Sequence, residues 1–355
     1  MSNTVDFVPR QEIDPQVWDS FVEANEQTWL WHRYAFIDTL LTWPDRRDQS
    51  CAVLDKASGG KMVAVLPLYV IDLRIKGVFR VRTLESFGGP ALSARLGTRH
   101  RRAILDQFLA HLLRIADRLN AGEISFTLSP LAPHWRGKKC PRTNPLLLLG
   151  CENTLTQTWI IYLRRDIDVL WNGLEGRART SIRKAINSGV KVRQASHERD
   201  LDIYYDLHRQ TYLRTGARPH PKTYFAAIWN NFVNHGTAEF FFAELGGSVI
   251  AAENFSVYKS AAYYWTGAAS EEGLKVGANS LLQWTAMKWM VERGLSWYEV
   301  GEAFPNVKEG KLKGLNDFKK SFGGSLYPFY KGRLPVNNRA AKILKVLRMG
   351  AALIQ

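Results

Sequence analysis

A lysine flanked by phenylalanines is the first residue that could take part in acyl chemistry. Within the segment EVGEAFPNVKEGKLKGLNDFKKSFGGSLYPFY, Lys319 follows Phe318 and lies three positions before Phe322. An ammonium group held by such packing can stabilise the negative charge that develops on oxygen during acyl transfer. Taken alone, the local pattern favours a basic surface turn before a closing strand.

A carboxylate in an apolar strand is the second candidate. Glu253 interrupts the run VIAAENFSVY, and burying a carboxylate costs free energy unless it is paired or solvated. Glu253 is therefore either a general base that takes a proton from an attacking amine, or an edge residue that faces water or pairs with an arginine.

A basic helix is predicted between residues 170 and 193. It carries Arg183 and Lys184, it ends at Gly189, and no acidic residue occurs from Arg177 to Arg193. Guanidinium groups match the geometry of phosphate oxygens, so one interpretation is a phosphate-binding surface. The other is a solvated helix face without a ligand.

A second basic segment reads LHRQTYLRTGARPHPKTYF and covers residues 207–225. It places Arg214, Arg218 and Tyr224 around a turn rich in glycine and proline. Loops carry binding groups more often than cores do, although an ordinary exposed loop can have the same composition. No set of histidines and carboxylates has the spacing of a metal site, so we expect no bound metal.

Composition and charge narrow the class of protein. The chain has 355 residues, enough for two domains, and its 48 lysines and arginines against 33 acidic residues give a net charge of +15. This excess favours an anionic partner, such as RNA, a phosphorylated small molecule or an acidic membrane, although a basic protein need not have one. No apolar run reaches the roughly 18 residues of a membrane span. The lack of an apolar N-terminal stretch and of a paired cysteine framework favours the reducing cytoplasm.

The same order of elements occurs in both halves of the chain. Each half contains a hairpin closed by two glycines, a further strand, a long helix and a final strand. The predicted elements lie at residues 51–55, 61–72, 79–87, 101–120 and 123–128, and again at residues 238–244, 248–258, 261–266, 278–293 and 296–301. Gly122 and Gly294 are expected to end the two helices in the left-handed conformation.

This repeat predicts the fold. Each half should form an α/β (α+β) unit, with a mixed sheet and helices on its faces, and the halves should be related by internal duplication. We place the first domain at 1–160, the second at 161–330 and a C-terminal basic helix at 331–355. That helix either packs back on the first domain or lies on an anionic membrane. Its charged residues are all basic: Arg339, Lys342, Lys345 and Arg348.

Three stretches resemble the FemABX family and its broader GNAT-like acyltransferase relatives. They read RARTSIRKAINSGVKV, ANSLLQWTAMKWMVERGLSWYEVGE and KGLNDFKKSFGGSLYPFY. The resemblance spans about Thr158–Tyr330 and is mainly architectural over the first half. It implies two tandem GNAT-like domains. It also implies that Lys319, which matches the lysine of the family's late Phe-Lys pair, is linked to the reacting acyl group.

The resemblance extends to substrate-binding positions. Arg214, Arg218 and Tyr224 fall where the family has acceptor-binding arginine and tyrosine residues. On the donor side, GLKVGANS lacks the full pyrophosphate loop of CoA-dependent GNAT enzymes, and the helical-hairpin insertion of the FemA-like enzymes is missing. The glycine and helix start that remain can still bind an anion, so we expect donor binding at Gly277, Ala278 and Asn279.

The resemblance implies an enzyme that forms an amide bond. The co-substrate would be an aminoacyl-tRNA or an acyl thioester, without a tightly bound cofactor. The acceptor would be an amine of a cell-envelope precursor or saccharide. One alternative is a CoA- or carrier-protein-dependent N-acyltransferase that acts on an amino sugar. The other is a non-catalytic GNAT-like protein that binds RNA or a membrane glycolipid. We expect a bacterial cytoplasmic protein, and peripheral contact with the inner face of the membrane stays open as an alternative to docking of the C-terminal helix. The sequence leaves its oligomeric state open.

Overall fold

Two units make up the chain in the computed structural model, which describes residues 4–75, 79–164, 166–304, 307–336 and 339–352. Unit 1 comprises Met1–Leu155 and Pro328–Gln355, and unit 2 comprises Thr156–Tyr327.

The strands are β1 (Val5–Pro9), β2 (Arg46–Asp48), β3 (Cys51–Asp55), β4 (Lys61–Leu66), β5 (Tyr69–Ile75), β6 (Phe79–Phe87), β7 (Ala91–Leu92), β8 (Ala121–Thr127), β9 (Glu152–Asn153), β10 (Thr156–Tyr162), β11 (Lys191–Gln194), β12 (Ala238–Leu245), β13 (Ser248–Tyr258), β14 (Ala261–Ala269), β15 (Trp297–Ala303), β16 (Ser325–Phe329) and β17 (Lys331–Leu334). The helices are α1 (Pro15–Ala24), α2 (Tyr34–Leu41), α3 (Thr98–Leu119), α4 (Ile167–Gly173), α5 (Gly176–Asn187), α6 (Asp200–Thr215), α7 (Lys222–Ile228), α8 (Glu271–Val276), α9 (Ala278–Glu292), α10 (Gly310–Lys320) and α11 (Arg339–Ala352).

The strands of unit 1 are ordered β1-β3-β4-β7 and β2-β5-β6-β8-β17-β9. The long helix α3 connects the parallel strands β6 and β8. Its residues Ile104, Phe108 and Leu112 recur every four positions and are fully buried, which gives α3 one apolar face. That face packs against sheet residues such as Leu84 and Ile124 and forms the core of the unit.

The sheet of unit 2 has the order β11-β12-β13-β14-β15-β10-β16. The helices α8 and α9 connect the parallel strands β14 and β15. The core lies between this sheet, α5 and α9, and includes Ile182, Phe255, Leu282, Met287 and Tyr298.

The two units repeat one arrangement, as the order of elements predicts. In each, a short strand pairs antiparallel with the first hairpin strand, β1 with β3 and β11 with β12. The hairpin turns use Gly59-Gly60 and Gly246-Gly247, all with positive φ. A parallel pair joined by helix completes each repeat. The predicted fold class, two mixed α/β units related by duplication, is confirmed.

One predicted strand differs in the structure. Residues 61–72 were expected to form a single strand, but β4 ends at Leu66 and β5 begins at Tyr69. Pro67 lies between them, and proline has no N–H group to donate to a sheet ladder. The chain therefore leaves β3 and β7 at this point and pairs with β2 and β6 instead.

Gly122 has a different role from the one predicted. The left-handed residue that ends α3 is Asn120, with φ of 49°, whereas Gly122 lies within β8. A Cβ atom at Gly122 would be 2.7 Å from the carbonyl carbon of Ala340. The missing side chain thus lets α11 pack directly on β8. The prediction for Gly294 is confirmed, since this residue follows α9 with φ of +69°.

Candidate active site

The sheet of unit 2 splits between β14 and β15. These parallel strands pair only over Ala261–Tyr263 and Trp297–Glu299. Beyond that point β14 continues beside β13 to Ala269, and β15 continues beside β10 to Ala303. A register shift interrupts each of these two ladders next to the last β14–β15 pair. Because a bulge bends its strand, the two strands separate beyond Glu299 and leave a gap in the sheet.

Lys319 lies at this gap, in the last turn of α10. It is only 7% exposed, and its Nζ donates a 2.7 Å hydrogen bond to the carbonyl oxygen of Glu302 on β15. Gly301 has φ of +118°, and a Cβ atom there would lie 3.1 Å from Lys319 Nζ. The expectation of a surface turn, drawn from the local pattern, is wrong, because the absent side chain of Gly301 lets the lysine lie against β15.

Burial and two acids set the protonation of this lysine. Burial lowers the pKa of Lys319 to about 8, while the negative charges of Glu299 and Glu302 act in the opposite direction. Glu299 is held by a 2.8 Å hydrogen bond from Thr158 Oγ1, and the Lys319 ammonium lies 5.3 Å from the ring centre of Phe304. The group is still mostly charged at pH 7 but titrates within reach of physiological pH.

Aromatic side chains lie on and beside β14, the strand on one side of this gap. Tyr263, the last β14 residue paired with β15, lies among the polar groups of Glu299, Tyr224 and Tyr212, and burial raises the pKa of its hydroxyl well above the usual range. Tyr224 accepts a 2.8 Å hydrogen bond from Trp265 Nε1. We call these residues, with His220 stacked on Tyr224, the aromatic cluster: Tyr212, His220, Tyr224, Tyr263 and Trp265.

Glu253 is fully buried, at 0% exposure. Its carboxyl group accepts hydrogen bonds from Asn279 Nδ2 at 3.2 Å and Gln283 Nε2 at 2.8 Å, both on α9. Burial raises its pKa to about 8, although hydrogen bonds from Asn279, Gln283 and Tyr264 lower it. The prediction that Glu253 faces water or pairs with an arginine is therefore wrong. At neutral pH the group is mainly the neutral acid, whereas a general base must be ionised.

The sheet separates Glu253 from Lys319. Gln283 on α9 donates a hydrogen bond to Glu253 and accepts one from Tyr298 on β15. The side chain of Tyr298 is therefore on the face of the sheet that α9 covers. Successive side chains of a strand point to opposite faces, so Glu299, which follows Tyr298, lies on the other face. The negative charge of Glu299 acts on Lys319. The structure therefore does not bring the two predicted catalytic residues into one site.

The exposed basic residues of α5 lie beside the start of α9. Lys184 Nζ donates a 2.7 Å hydrogen bond to the carbonyl oxygen of Lys275, in α8. Arg183 lies over the ring of Trp171, 5.4 Å from its centre. The other arginines of this segment bind protein groups. Arg177 forms ion pairs with Glu175 and Asp317, and Arg179 donates to a backbone carbonyl at the end of α4. Arg193 forms ion pairs with Asp200 and Glu244. Only part of the predicted basic surface is therefore open to an anion.

Gly277 connects α8 to α9, and Ala278 and Asn279 are the first residues of α9. Gly277 has φ of +84°, and a Cβ atom there would be 2.4 Å from Ser181 Oγ on α5. Ala278 is fully buried, and the side chain of Asn279 is directed at Glu253. The backbone at this helix start is the group left for an anion, because Gly277 has no side chain, Ala278 is buried and the Asn279 amide binds Glu253.

The predicted acceptor residues of the second basic segment differ in their surroundings. Arg214 donates a 2.9 Å hydrogen bond to the carbonyl oxygen of Ala269 and so fastens the end of α6 to the end of β14. Arg218 is exposed in the following turn. Tyr224 is buried within the aromatic cluster. The structure thus places Tyr224 against Trp265 of β14, and the two arginines are exposed.

Among the residues that the structure describes, no group of three or more histidine, cysteine or acidic side chains could hold a metal ion. Within the same residues, no helix combines the length and the apolar character that a membrane crossing requires.

A family model described as an acetyltransferase (GNAT) domain matches residues 176–320. Unit 2 contains a GNAT acyltransferase domain. The protein is thus an acyltransferase, and the matched GNAT domain contains the split between β14 and β15, Lys319 and the aromatic cluster. No curated protein sequence matches the chain.

Solved structures share the fold over nearly the whole chain. FemX has 18% identity and a TM-score of 0.68, covering 94% of this chain and 98% of its own. A tandem GNAT protein from the clavulanic acid biosynthesis pathway has 14% identity and a TM-score of 0.56, covering 94% and 99%. The C-terminal domain of a putative lysylphosphatidylglycerol synthetase from Agrobacterium fabrum has 14% identity and a TM-score of 0.55, covering 93% and 94%. At these identities the likeness shows the tandem GNAT fold.

The GNAT domain also contains site residues that the sequence analysis did not identify. In the sequence, Tyr263 and Trp265 are parts of a predicted strand, Glu299 lies in the predicted strand 296–301, and Glu302 follows it. The one usable signal is the pair of acids in EVGE, where Glu299 lies within the predicted strand 296–301 and Glu302 follows it directly. Their proximity to Lys319 depends on how α10 packs, which no local pattern specifies.

Proposed function

We propose that the GNAT domain of unit 2 transfers an acyl or aminoacyl group to an amine, with Lys319 stabilising the developing negative charge. The observation that carries this proposal is the buried ammonium group at the gap between β14 and β15. A charge in a site shielded from water acts on a reacting carbonyl far more strongly than it would in solution.

The reaction forms one bond and breaks one bond at the same carbonyl carbon. The amine nitrogen attacks, the new C–N bond forms, and the C–O bond of an ester or the C–S bond of a thioester breaks. The amine loses a proton, and the leaving oxygen or sulfur gains one. Glu302 is half-buried at the gap and is better placed than Glu253 to accept the amine proton. Glu253 is then a positioning residue, which holds Asn279 at the start of α9.

The donor would bind at the start of α9. Backbone N–H groups of a helix N-terminus attract anions, and Lys184 is fixed beside this helix by its bond to Lys275. The FemABX resemblance favours an aminoacyl-tRNA, whose phosphates Arg183 and Lys184 would contact. The acceptor amine, from a cell-envelope precursor or saccharide, would enter on the side of the aromatic cluster, since aromatic faces pack well against sugar rings. This chemistry would take place in the cytoplasm.

An acyl thioester is the second donor class. It is favoured by the acetyltransferase description of the matched domain and by the retained Gly277 at the start of α9. In that case a CoA or carrier-protein phosphate would occupy the helix start, and the acceptor would be an amino sugar.

Mass spectrometry of product formation tests the proposal. Charged tRNA, acyl-CoA and acyl-carrier protein are offered separately, each with a panel of cell-envelope amines. We expect one donor class to give a product 100-fold faster with the wild type than with Lys319→Ala, the scale of losing one oxyanion donor. Lys320→Ala, which removes the neighbouring exposed lysine, is the matched control and should keep near-normal turnover.

Two outcomes would contradict the proposal. Near-normal turnover of Lys319→Ala would remove this lysine from the mechanism. A complete lack of transfer with every donor, combined with tight binding of tRNA, would favour the non-catalytic alternative.

A further inference from the structure

A cleft in unit 1 is lined by basic and aliphatic side chains. Its volume is about 530 Å³, and it lies between β2, β5 and β6, the end of α3, and α11. Three arginines, Arg47, Arg80 and Arg82, take part in the lining, together with Leu73 and Val81. All of these residues belong to unit 1, so the cleft is separate from the GNAT domain of unit 2.

The arginines of the cleft keep an excess of positive charge. Asp72 accepts from Arg47 Nη1 at 2.6 Å and from Arg82 Nε at 3.0 Å, so one carboxylate holds two guanidinium groups. Arg82 also donates to the carbonyl oxygen of Leu119, at the end of α3. Within the described residues the structure shows no ion pair or hydrogen bond of the Arg80 side chain, which is exposed. Asp45 and Asp72 are the acids of the lining, against three arginines.

The helix beside the cleft has two apolar sides. Ala340 and Leu344 are buried against unit 1. Ile343 is 45% exposed and Val346 is 63% exposed, and Ile343 also lines the cleft. The neighbouring Lys342 is exposed as well. Single exposed aliphatic residues are common on protein surfaces, but Ile343 lines the same cleft as three arginines, and Val346 follows it three positions later on α11.

We propose that this cleft and the outer side of α11 bind the surface of an anionic phospholipid membrane. Lipid phosphates would sit at Arg47, Arg80 and Arg82, because guanidinium groups bind phosphate oxygens in a fixed geometry. Ile343 and Val346 would enter the boundary between headgroups and acyl chains, as the apolar residues of interfacial helices do. The phosphates of an RNA would bind the arginines equally well, but the side chains of Ile343 and Val346 would then lie against the charged RNA backbone. The membrane therefore fits the whole surface better.

This inference does not rest on acyl transfer, since the surface would bind lipid whether or not unit 2 is catalytic. The experiment uses the full-length protein and vesicles of phosphatidylcholine, with and without phosphatidylglycerol. Co-flotation is measured for the wild type, Arg80→Glu and the double variant Ile343→Asp/Val346→Asp. We expect binding only with phosphatidylglycerol, and a loss of about tenfold or more for either variant, because each basic group near an anionic surface contributes substantially.

Arg95→Glu is the matched control. Arg95 is an exposed arginine just before the start of α3, whereas the cleft is at the end of this 22-residue helix, about 33 Å away along its axis at 1.5 Å per residue. Its charge reversal should leave flotation almost unchanged. Circular dichroism confirms that each variant is folded, and transfer to a soluble amine should be equal in all of them, which keeps this test separate from that of the active site.

Three results would overturn the membrane assignment. One is equal flotation with neutral vesicles, and another is an equal loss for Arg95→Glu. The third is that Arg80→Glu weakens the binding of tRNA, or of soluble glycerol phosphate, while the wild type fails to float with anionic vesicles. That result would assign the cleft to RNA or to a soluble phosphate ligand.

Discussion

At the scale of single residues, the protonation of Lys319 connects the structure to a measurable rate. The ammonium form is required if Lys319 stabilises an oxyanion. Since burial lowers its pKa to about 8, the lysine loses its charge as the pH rises through that value, well before a solvated lysine would.

This gives a prediction for the pH dependence of turnover. We expect kcat to fall as the pH rises through about 8. Lys319→Arg, whose charge persists to much higher pH, should lack this fall if the variant remains active. The two profiles are measured with the same amine, so that titration of the substrate contributes equally to both. A wild-type rate that rises through pH 8 relative to the variant would instead show that neutral Lys319 acts as a base.

Glu253 gives a second prediction, which concerns stability. Its pKa is raised to about 8 from the ordinary 4.5, so between these values the folded state holds a proton that the unfolded state releases. The stability contributed by this proton is complete below about pH 4.5 and is lost as the pH rises to about 8, by up to ~1.4 kcal/mol per pH unit.

Glu253→Gln removes this dependence. Asn279 Oδ1 is buried without a partner in the described structure, and a turned Asn279 amide could accept from the new Gln side chain. We expect the free energy of unfolding of Glu253→Gln, measured by urea denaturation, to increase relative to that of the wild type as the pH rises from about 5 to about 8. The control is Glu292→Gln, because Glu292 is an exposed residue of α9, the helix that carries Asn279. A constant difference between Glu253→Gln and wild type across this range would show that Glu253 is ionised throughout.

At the scale of secondary-structure elements, close backbone approach at glycine decides which elements touch. Gly301 admits the lysine of α10 to β15, and Gly122 admits α11 to β8. In both cases the requirement comes from a neighbour distant in the sequence, which is why Gly122 was misinterpreted as a helix end.

Gly122→Ala tests the second contact. The new Cβ would lie 2.7 Å from backbone and side-chain atoms of α11, so the helix must move. We expect a loss of ~1–3 kcal/mol in the free energy of unfolding, as for other overpacked sites, and faster hydrogen exchange in residues 339–352. Gly97→Ala is the control, because a Cβ there meets no atom within 4 Å. Equal effects of the two substitutions would show that α11 does not depend on this approach.

At the scale of the whole molecule, the chain leaves unit 1 before β10 and returns to it for β17. This strand lies between β8 and β9 and pairs with both. Residues 331–334 are therefore part of the sheet of the first unit, although unit 2 has its own separate core.

Truncation tests this dependence. A chain that ends at Tyr327 should lose hydrogen-exchange protection at least tenfold in residues 121–127, because β8 then has an unpaired edge. Residues 238–269 of unit 2 should keep theirs. A chain that ends at residue 338 retains β17 and should protect β8 much better. Equal loss in both units, or none in either, would contradict the assignment of β17 to unit 1.

Local patterns are enough to predict the repeated units, because hairpin glycines, strand alternation and the periodicity of the long helices involve residues close together in the sequence. The sequence also located Lys319, through its resemblance to a known motif. The tertiary structure decided that Lys319 is buried beside Glu299 and Glu302, that Glu253 lies on the opposite face of the sheet, and that several arginines of the basic segments bind protein groups. These properties depend on side chains far apart in the sequence. The free energy of burying a charge is set by such neighbours, and a local pattern contains no information about them.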